Sequence, residues 1–310
     1  MFDSFLGKEY ILYIILFGKN LLIFIFSLKF IYILYIYNSS NNKVCLCTIG
    51  KNENKYVREF VEYYKNYGFD NIIIYDNNDI DGENFDIVLN DYIKNGYVKI
   101  INYRGKAKTQ NSMLNNCYNE NNHLYDWLIF YDFDEFIHLS KYNNIKKYLG
   151  KARFKKCNVI YLNQVLHTDN DQVFYTNKSL FQRFPYFTTN FNKKIGYTKI
   201  IIRGNLTNIN FTNPHVLDYN NQCNSIGKLT DLSYIDLYNE YYHSHHFYFK
   251  STEEYFNKLK RGGVTSGKKY FFPDIFDFYF SVNRITKEKI DYLENRSGLN
   301  LSRYKDKLIE

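Results

Sequence analysis

Hydrophobic and polar positions in the first half of the chain switch repeatedly between a strand-like and a helix-like pattern. Residues 44–49 and 71–75 are nearly continuous apolar runs, typical of buried strands, whereas residues 56–67 place apolar side chains at helical spacing and stop at Gly68. The same reasoning predicts helices over residues 85–95, 109–121 and 251–259 and strands over residues 96–101 and 127–131. This rhythm favours an α/β domain in which helices flank a mixed, mostly parallel sheet.

The N-terminus has a different pattern, because residues 10–37 are almost wholly apolar. Residues 21–37 are nearly long enough to cross a bilayer, and the apolar side chains there can offset the roughly 2.5–3.5 kcal/mol that Lys29 costs near the middle. We therefore expect a helical, single-pass membrane anchor with a polar linker over residues 1–42. The alternative is a hydrophobic helix that lies on the membrane or on the following domain. Charges on the two sides of the run leave its orientation open.

The amino-acid composition says more about the class of ligand than about the fold. Aromatic residues make up 20% of the chain and prolines number 3, which indicates a packed domain. The net charge of +8 is spread along the sequence without a dense basic tract, so we expect a nucleotide or diphosphate ligand and no nucleic-acid partner. The five cysteines form no Cys-x-x-Cys pair. We therefore expect mostly buried free thiols, with Cys45 and Cys47 on one face of a strand.

The strongest chemical signal follows the strand at residues 127–131, where Asp132 and Asp134 continue an apolar run. Strand alternation would put both carboxylates on one face, where they could hold Mg²⁺ or Mn²⁺ and leave positions open for diphosphate oxygens. Such an ion would neutralise a departing nucleotide diphosphate. The alternative is an ordinary acidic loop. The same alternation turns Glu135 away, so we expect it to be structural or hydrogen-bonded to the site.

Several separate segments, in a fixed order over residues 43–263, then carry a resemblance to a known family. They are Lys51-Asn52-Glu53 with residues 59–62 and Gly68, residues 75–77, residues 110–117, the acidic block 127–136, and His246 with residues 250–251 and 258–262. Together these segments resemble the nucleotide-sugar glycosyltransferases of family 92 and their bacterial and viral relatives in the family 2 group.

The resemblance implies a GT-A (Rossmann-like) fold, a nucleotide-sugar donor and a divalent metal, Mn²⁺ or Mg²⁺. It implies a donor half over about 43–140, an acceptor half over about 141–263 and, beyond them, a helical extension over 264–310. Position by position, Asp132, Asp134 and His246 would bind the metal. The donor would be contacted by Lys51, Asn52, Glu53, Asp76, Gln110, Asp132 and Lys250.

The reaction expected from this resemblance is transfer, with inversion, to a hydroxyl group of a glycan, protein or lipid. Inversion needs a base, and Asp169 and Asp171 are the candidates, although an Asp- and Asn-rich turn explains them equally well. His243 and His245 are expected to be packed or hydrogen-bonded. Two other functions stay open: a metal-dependent nuclease or nucleotidyltransferase, which needs a third convergent carboxylate, and an inactive membrane-bound sugar-binding protein.

Overall fold

The computed structural model describes residues 42–107, 109–189, 198–230, 239–262 and 274–308. The predicted membrane anchor over residues 10–37 lies outside these residues, as does the beginning of the predicted C-terminal extension. Within the described parts of the chain, the helices are all too short or too polar to cross a membrane.

The first half of the chain forms four parallel strands joined by helices, as predicted. The strands are β1 (Val44–Gly50), β2 (Asn71–Asp76), β3 (Val98–Asn102) and β4 (Trp127–Phe130). The helices are α1 (Asn54–Asn66), α2 (Phe85–Val88), α3 (Asn90–Lys94) and α4 (Gln110–Asn121). In the spatial order β3-β2-β1-β4, strands β2 and β3 lie on one side of β1 and β4 lies on the other, so the direction of strand addition reverses at β1. Ligands of open α/β sheets bind at such a reversal, here between the ends of β1 and β4.

The single helix predicted over residues 85–95 is wrong, because the structure has two short helices there. Leu89 separates them with φ −110° and ψ 15°, and its side chain is fully buried. The Asn84 side chain caps α2 by accepting a hydrogen bond from the Asp86 backbone N–H. A uniform helical pattern in the sequence therefore hides a break at a fully buried residue.

The second half of the chain extends the same sheet with strands that were not among the predicted elements. Its strands are β5 (Glu135–Leu139), β6 (Val159–His167), β7 (Phe187–Thr188), β8 (Thr198–Arg203), β9 (Gln222–Cys223) and β10 (Tyr242–His246). The main path continues from β4 through β8, β6 and β10 to β5, with antiparallel pairs at β4–β8, β8–β6 and β10–β5. The sheet is therefore mixed: its first-half strands are all parallel, whereas the second half combines these antiparallel pairs with the parallel pairs β6–β10 and β6–β9.

Further helices cover the sheet and its end. They are α5 (Ile145–Leu149), a 3-10 turn (Ala152–Phe154), α6 (Leu180–Arg183), α7 (Thr252–Arg261), α8 (Ile275–Val282), α9 (Lys287–Ser297) and α10 (Ser302–Lys305). Ser251 caps α7 in a reciprocal capping box with Glu254. Helices α7 to α10 share one apolar cluster with Leu166 at the end of β6, so the last helices pack beside the region where β6 ends.

Apolar side chains cover both faces of β1, which is why this strand does not alternate between apolar and polar residues. Val44 and Leu46 belong to one core, while Cys45 and Cys47 belong to the other. The two cysteines thus share a face, as predicted.

The expectation of mostly free thiols is wrong. Cys47 pairs with Cys117, and Cys157 pairs with Cys223, with Cα atoms 6.6 Å and 5.7 Å apart, and Cys45 is a buried free thiol. The partners are separated by 70 and 66 residues in sequence. Tertiary structure brings these partners together, so a search for closely spaced cysteines could not find them.

Candidate active site

The acidic segment predicted from the sequence forms the connection between β4 and β5, directly beside the end of β1. Strand β4 ends at Phe130, and the Glu135 N–H donates to the Asp132 carbonyl, so the chain turns between the two strands. Phe133 packs against Gly50, where a Cβ atom would clash with the ring. Strand alternation therefore does not extend through this segment. The close packing on Gly50 positions the acidic side chains instead.

Each of the three carboxylates in this connection contacts a lysine from a distant part of the chain. The Lys199 ammonium lies 2.8 Å from Asp132 Oδ2 and 2.7 Å from Glu135 Oε2, and the Lys258 ammonium lies 3.0 Å from Asp134 Oδ2. Burial would lower the pKa of Lys199, but the two carboxylates raise it above its ordinary value. Three carboxylates and two ammonium groups leave one net negative charge, which favours a cation.

The remaining oxygens of Asp134 and Glu135 face the same histidine. His246 Nε2 lies 3.6 Å from Asp134 Oδ1, and its Nδ1 lies 3.7 Å from Glu135 Oε1. Strand pairing explains this, because Glu135 on β5 and His246 on β10 are directly opposite each other. Burial lowers the pKa of His246 to about 3, so the ring is neutral at pH 7. Burial alone would raise the pKa of Asp134, but the nearby Lys258 ammonium outweighs it and holds the pKa well below its ordinary value, so the carboxylate is ionised.

These residues fit a divalent metal. The ligand atoms of Asp134, Glu135 and His246 lie within 4.8 Å of one another, and His246 Nδ1 is buried without a hydrogen-bond partner. A buried polar atom of this kind needs a partner, which an ion could provide. Two carboxylates and one imidazole suit Mn²⁺ better than Mg²⁺, which prefers oxygen ligands.

The candidate ligand group in the structure differs from the predicted one at two positions, Asp132 and Glu135. It brings Asp134 and His246 together but adds Glu135, which strand alternation had turned away, while Asp132 lies outside the group and contacts Lys199. Glu135 was expected to be structural or hydrogen-bonded to the site, and its Oε2 does accept a hydrogen bond from the Asp132 backbone N–H. Sequence reasoning missed Lys199, although a lysine inside the apolar strand 198–203 needs a buried partner.

A cavity of about 470 Å³ opens next to this acidic cluster, between the end of β1 and helix α7. Lys250, Lys258 and Arg261 line one side of it, and Glu53 lies between two of these cations, 3.0 Å from the Lys250 ammonium and 3.2 Å from Arg261 Nη1. Asn52 completes the mouth, with φ 58° and its N–H donating to Asn78 at the end of β2. Predicted donor residues from remote segments thus line one cavity.

Three other predicted donor residues lie after β1, at the end of β2 and at the start of α4. Lys51 contacts Asp79 at 2.6 Å on the surface. Asp76 is buried at the end of β2, where it accepts hydrogen bonds from Arg104 at 2.8 Å and from the Asn78 side chain. Gln110 begins α4 and is half-buried. The structure therefore gives Asp76 a role in holding the loop after β2.

Asp169 and Asp171 both contact the buried side chain of Lys289. The Lys289 ammonium lies 2.7 Å from Asp169 and 2.8 Å from Asp171, and the Tyr279 hydroxyl also donates to Asp169. Asp169 is 1% exposed. Such a carboxylate anchors helices α8 and α9 and has no access to an acceptor hydroxyl group. The geometry thus favours a structural role for Asp169, and the assignment of these residues as the base stays a prediction.

Hydrogen bonding of the two remaining histidines of β10 is confirmed. His243 Nδ1 lies 3.0 Å from the Asn239 carbonyl, and His245 Nδ1 lies 2.9 Å from His167 Nε2. Alternation along β10 puts both rings on the face opposite His246.

Comparisons with known proteins agree with the sequence motifs. The family model of glycosyltransferase family 92 matches residues 41–262. A glycosyltransferase family 92 protein of Ricinus communis is 30% identical over 98 residues, which make up 32% of this chain and only 17% of that protein.

Solved structures of S. aureus TarS are also similar, but more weakly. TarS 1–349 is 15% identical over 77% of this chain and 73% of its own, with a TM-score of 0.34. The complex of TarS 1–349 with UDP-GlcNAc is 18% identical over 52% and 45%, with a TM-score of 0.31. These TM-scores are too low to support an argument about this chain.

Proposed function

The chain belongs to glycosyltransferase family 92, and from this premise we propose that it transfers a sugar from a nucleotide-diphosphate sugar to a hydroxyl group of a glycan, protein or lipid. The observation that supports this proposal most strongly is the cavity lined by Lys250, Lys258 and Arg261 beside the acidic connection 132–135. Cations next to a carboxylate cluster suit a diphosphate that binds partly through a metal. The site also lies at the reversal of strand order between β1 and β4.

The metal of this proposal is Mn²⁺ or Mg²⁺, which Asp134, Glu135 and His246 would hold. When bound there, the ion would act as a Lewis acid that stabilises negative charge on the departing nucleotide diphosphate. Lys199 holds the Asp132 and Glu135 carboxylates in place from the buried side of the sheet. Its role is to position the acidic side chains.

In this proposal the diphosphate is bound by the basic side chains of α7 and by the lysine that precedes the N-cap of this helix. Asp134 raises the pKa of Lys258 above its ordinary value although burial opposes this, so its ammonium is charged at pH 7. Lys250, one residue before the Ser251 cap, contacts Glu53 at 3.0 Å. These cations bind and orient the phosphate oxygens and stabilise the charge that develops as the sugar leaves.

In the transfer step the acceptor oxygen bonds to the anomeric carbon as the bond from that carbon to the diphosphate oxygen breaks. The acceptor hydroxyl proton must then pass to a base, and the electron pair of the broken bond stays on the diphosphate. Of the two predicted carboxylates, Asp171 is the more accessible, with its side chain 42% exposed. We therefore keep Asp171 as the proposed base of an inverting reaction.

One observation bears on the nuclease alternative, which requires a third carboxylate. Glu135 does lie close to Asp134. However, the Lys199 ammonium contacts both Asp132 Oδ2 and Glu135 Oε2 and so lies between these two carboxylates. A pair of metal ions bridged by these carboxylates would have to displace a buried lysine. The family membership and this lysine together favour the transferase.

The N-terminal segment, residues 1–42, is proposed to anchor the enzyme in a membrane, as expected from its hydrophobic run. The two disulfides support a catalytic domain on the oxidising side of that membrane, because disulfides persist in such compartments.

The proposed function is tested by incubating the full chain with a panel of nucleotide sugars and Mn²⁺ and measuring the nucleotide diphosphate released. We expect release with one donor class, and its loss in Asp134→Asn. Asp306→Asn changes an exposed aspartate of the C-terminal region and serves as the matched control. Absence of release with every donor from folded wild-type protein would favour the inactive sugar-binding alternative.

A further inference from the structure

A second group of histidines lies on the face of the sheet opposite the candidate active site. His138 on β5 is paired directly with His243 on β10, and His245 follows two residues later on the same face. Their ring centroids are 4.4 Å apart for His138 and His243, 5.2 Å for His138 and His245, and 4.9 Å for His243 and His245. From these three residues we infer a transition-metal site of the zinc type that is separate from the glycosyl-transfer site.

Hydrogen bonds around the cluster orient two of its rings for metal binding. The Asn239 carbonyl can only accept, so His243 carries its proton on Nδ1 and has a lone pair on Nε2. Neutral imidazole is the form that binds a metal.

A longer chain of hydrogen bonds fixes the tautomer of His245. The Phe184 carbonyl, 2.6 Å from His167 Nδ1, requires the proton on that nitrogen. His167 Nε2 must then accept, so His245 donates from Nδ1 across 2.9 Å and keeps its own lone pair on Nε2. Ligating histidines in metal sites typically donate their other N–H to such an acceptor, which fixes the ring and strengthens the ligand.

The ligand atoms of His138, His243 and His245 already lie within 4.8 Å of one another. Four-coordinate zinc with bonds of about 2.0–2.1 Å holds its nitrogen ligands roughly 3.3 Å apart. The rings must therefore close by about 1.5 Å at most, which small side-chain rotations can achieve. His138 is half-buried and gives access from solvent, whereas Phe187 packs near the other two rings.

Ligand chemistry separates this site from the acidic one. Three imidazoles without a carboxylate suit Zn²⁺ and similar ions, while Mg²⁺ prefers oxygen ligands and would bind at the carboxylates. Three histidines also leave a fourth position for water. The ion would connect β5 to β10 directly and β6 to both through His167.

The test is equilibrium dialysis of the full chain against Zn²⁺ with excess Mg²⁺, comparing wild type with His138→Asn. His138 lies at the accessible edge of the cluster, so its replacement should preserve the fold, which circular dichroism checks. The matched control is His123→Asn at an exposed histidine. His246→Asn removes a ligand of the acidic group, so this variant distinguishes zinc bound at the acidic group from zinc bound at the three histidines.

We expect wild type, His123→Asn and His246→Asn to share one zinc site that His138→Asn weakens by more than the roughly 10–100-fold that loss of an outer-sphere partner costs. If His138→Asn does not fold, His138→Gln is compared in the same way. Equal zinc binding by wild type and the folded His138 variant would overturn the inference. So would the loss of all zinc binding in folded His246→Asn, because the bound zinc would then belong to the acidic group.

Discussion

Replacing Lys199 by methionine tests whether the acidic connection depends on a buried counter-charge. The Lys199 side chain is 2% exposed and contacts Asp132 at 2.8 Å and the fully buried Glu135 at 2.7 Å. Methionine keeps most of the volume but leaves the Glu135 charge in the sheet without its ammonium partner. Breaking a buried ion pair in this way costs about 3–5 kcal/mol. We expect Lys199→Met to lower the free energy of unfolding by that amount.

The assay is urea denaturation of the full chain, followed by the fluorescence of its single tryptophan. Trp127 is buried on β4, which pairs with β8, the strand that carries Lys199, so it reports on the affected region. Lys307→Met, at an exposed position, is the control. The double variant Lys199→Met/Glu135→Gln removes the unpaired charge and should recover part of the loss. A cost below about 1 kcal/mol for Lys199→Met, the range of exposed pairs, would refute the reasoning.

Three further predictions follow from the packing, the cysteines and the N-terminus. Gly50→Ala should cost roughly 1–3 kcal/mol in urea denaturation because its Cβ would clash with Phe133, and adding Phe133→Leu should recover part of this; an unchanged stability would contradict the close contact. Alkylation of unfolded, unreduced protein should label one cysteine of five, Cys45, whereas five labels in the mass spectrum would exclude both disulfides. Deletion of residues 1–42 should give soluble, active enzyme, and an insoluble product would mean that residues 10–37 belong to the core.

Most of the first half of the fold could be predicted because its strands contain apolar runs and because local signals mark where helices begin or end. Gly68, with φ 83°, follows α1. In the second half, α7 was predictable for the same reason, because Ser251 caps it. The positions of these elements depend on neighbouring residues alone. Glu53 and Lys250 are far apart in sequence, and their meeting agrees with the family resemblance, which assigned both residues to the donor site.

The second half resisted prediction because its strands carry buried polar residues that pair only in the folded sheet. Lys199 interrupts β8, and Gln164 interrupts β6, where it donates to Glu135 at 2.6 Å. Each looks like a loop residue until its partner is known. The register of β5 against β10, which places Glu135 opposite His246 and His138 opposite His243, is a tertiary feature with no local signal. Both candidate metal groups depend on this register.

The central claim, metal-assisted transfer at Asp134, Glu135 and His246, is tested most directly by the Mn²⁺ dependence of nucleotide diphosphate release. The rate is measured against Mn²⁺ concentration for wild type, His246→Asn and the exposed control His123→Asn, with Trp127 fluorescence confirming the fold. We predict that His246→Asn needs at least about tenfold more Mn²⁺ for half-maximal rate, because a ligand contributes at least as much as an outer-sphere partner. Identical Mn²⁺ dependence in all three proteins, or full turnover in the presence of a chelator, would contradict the account.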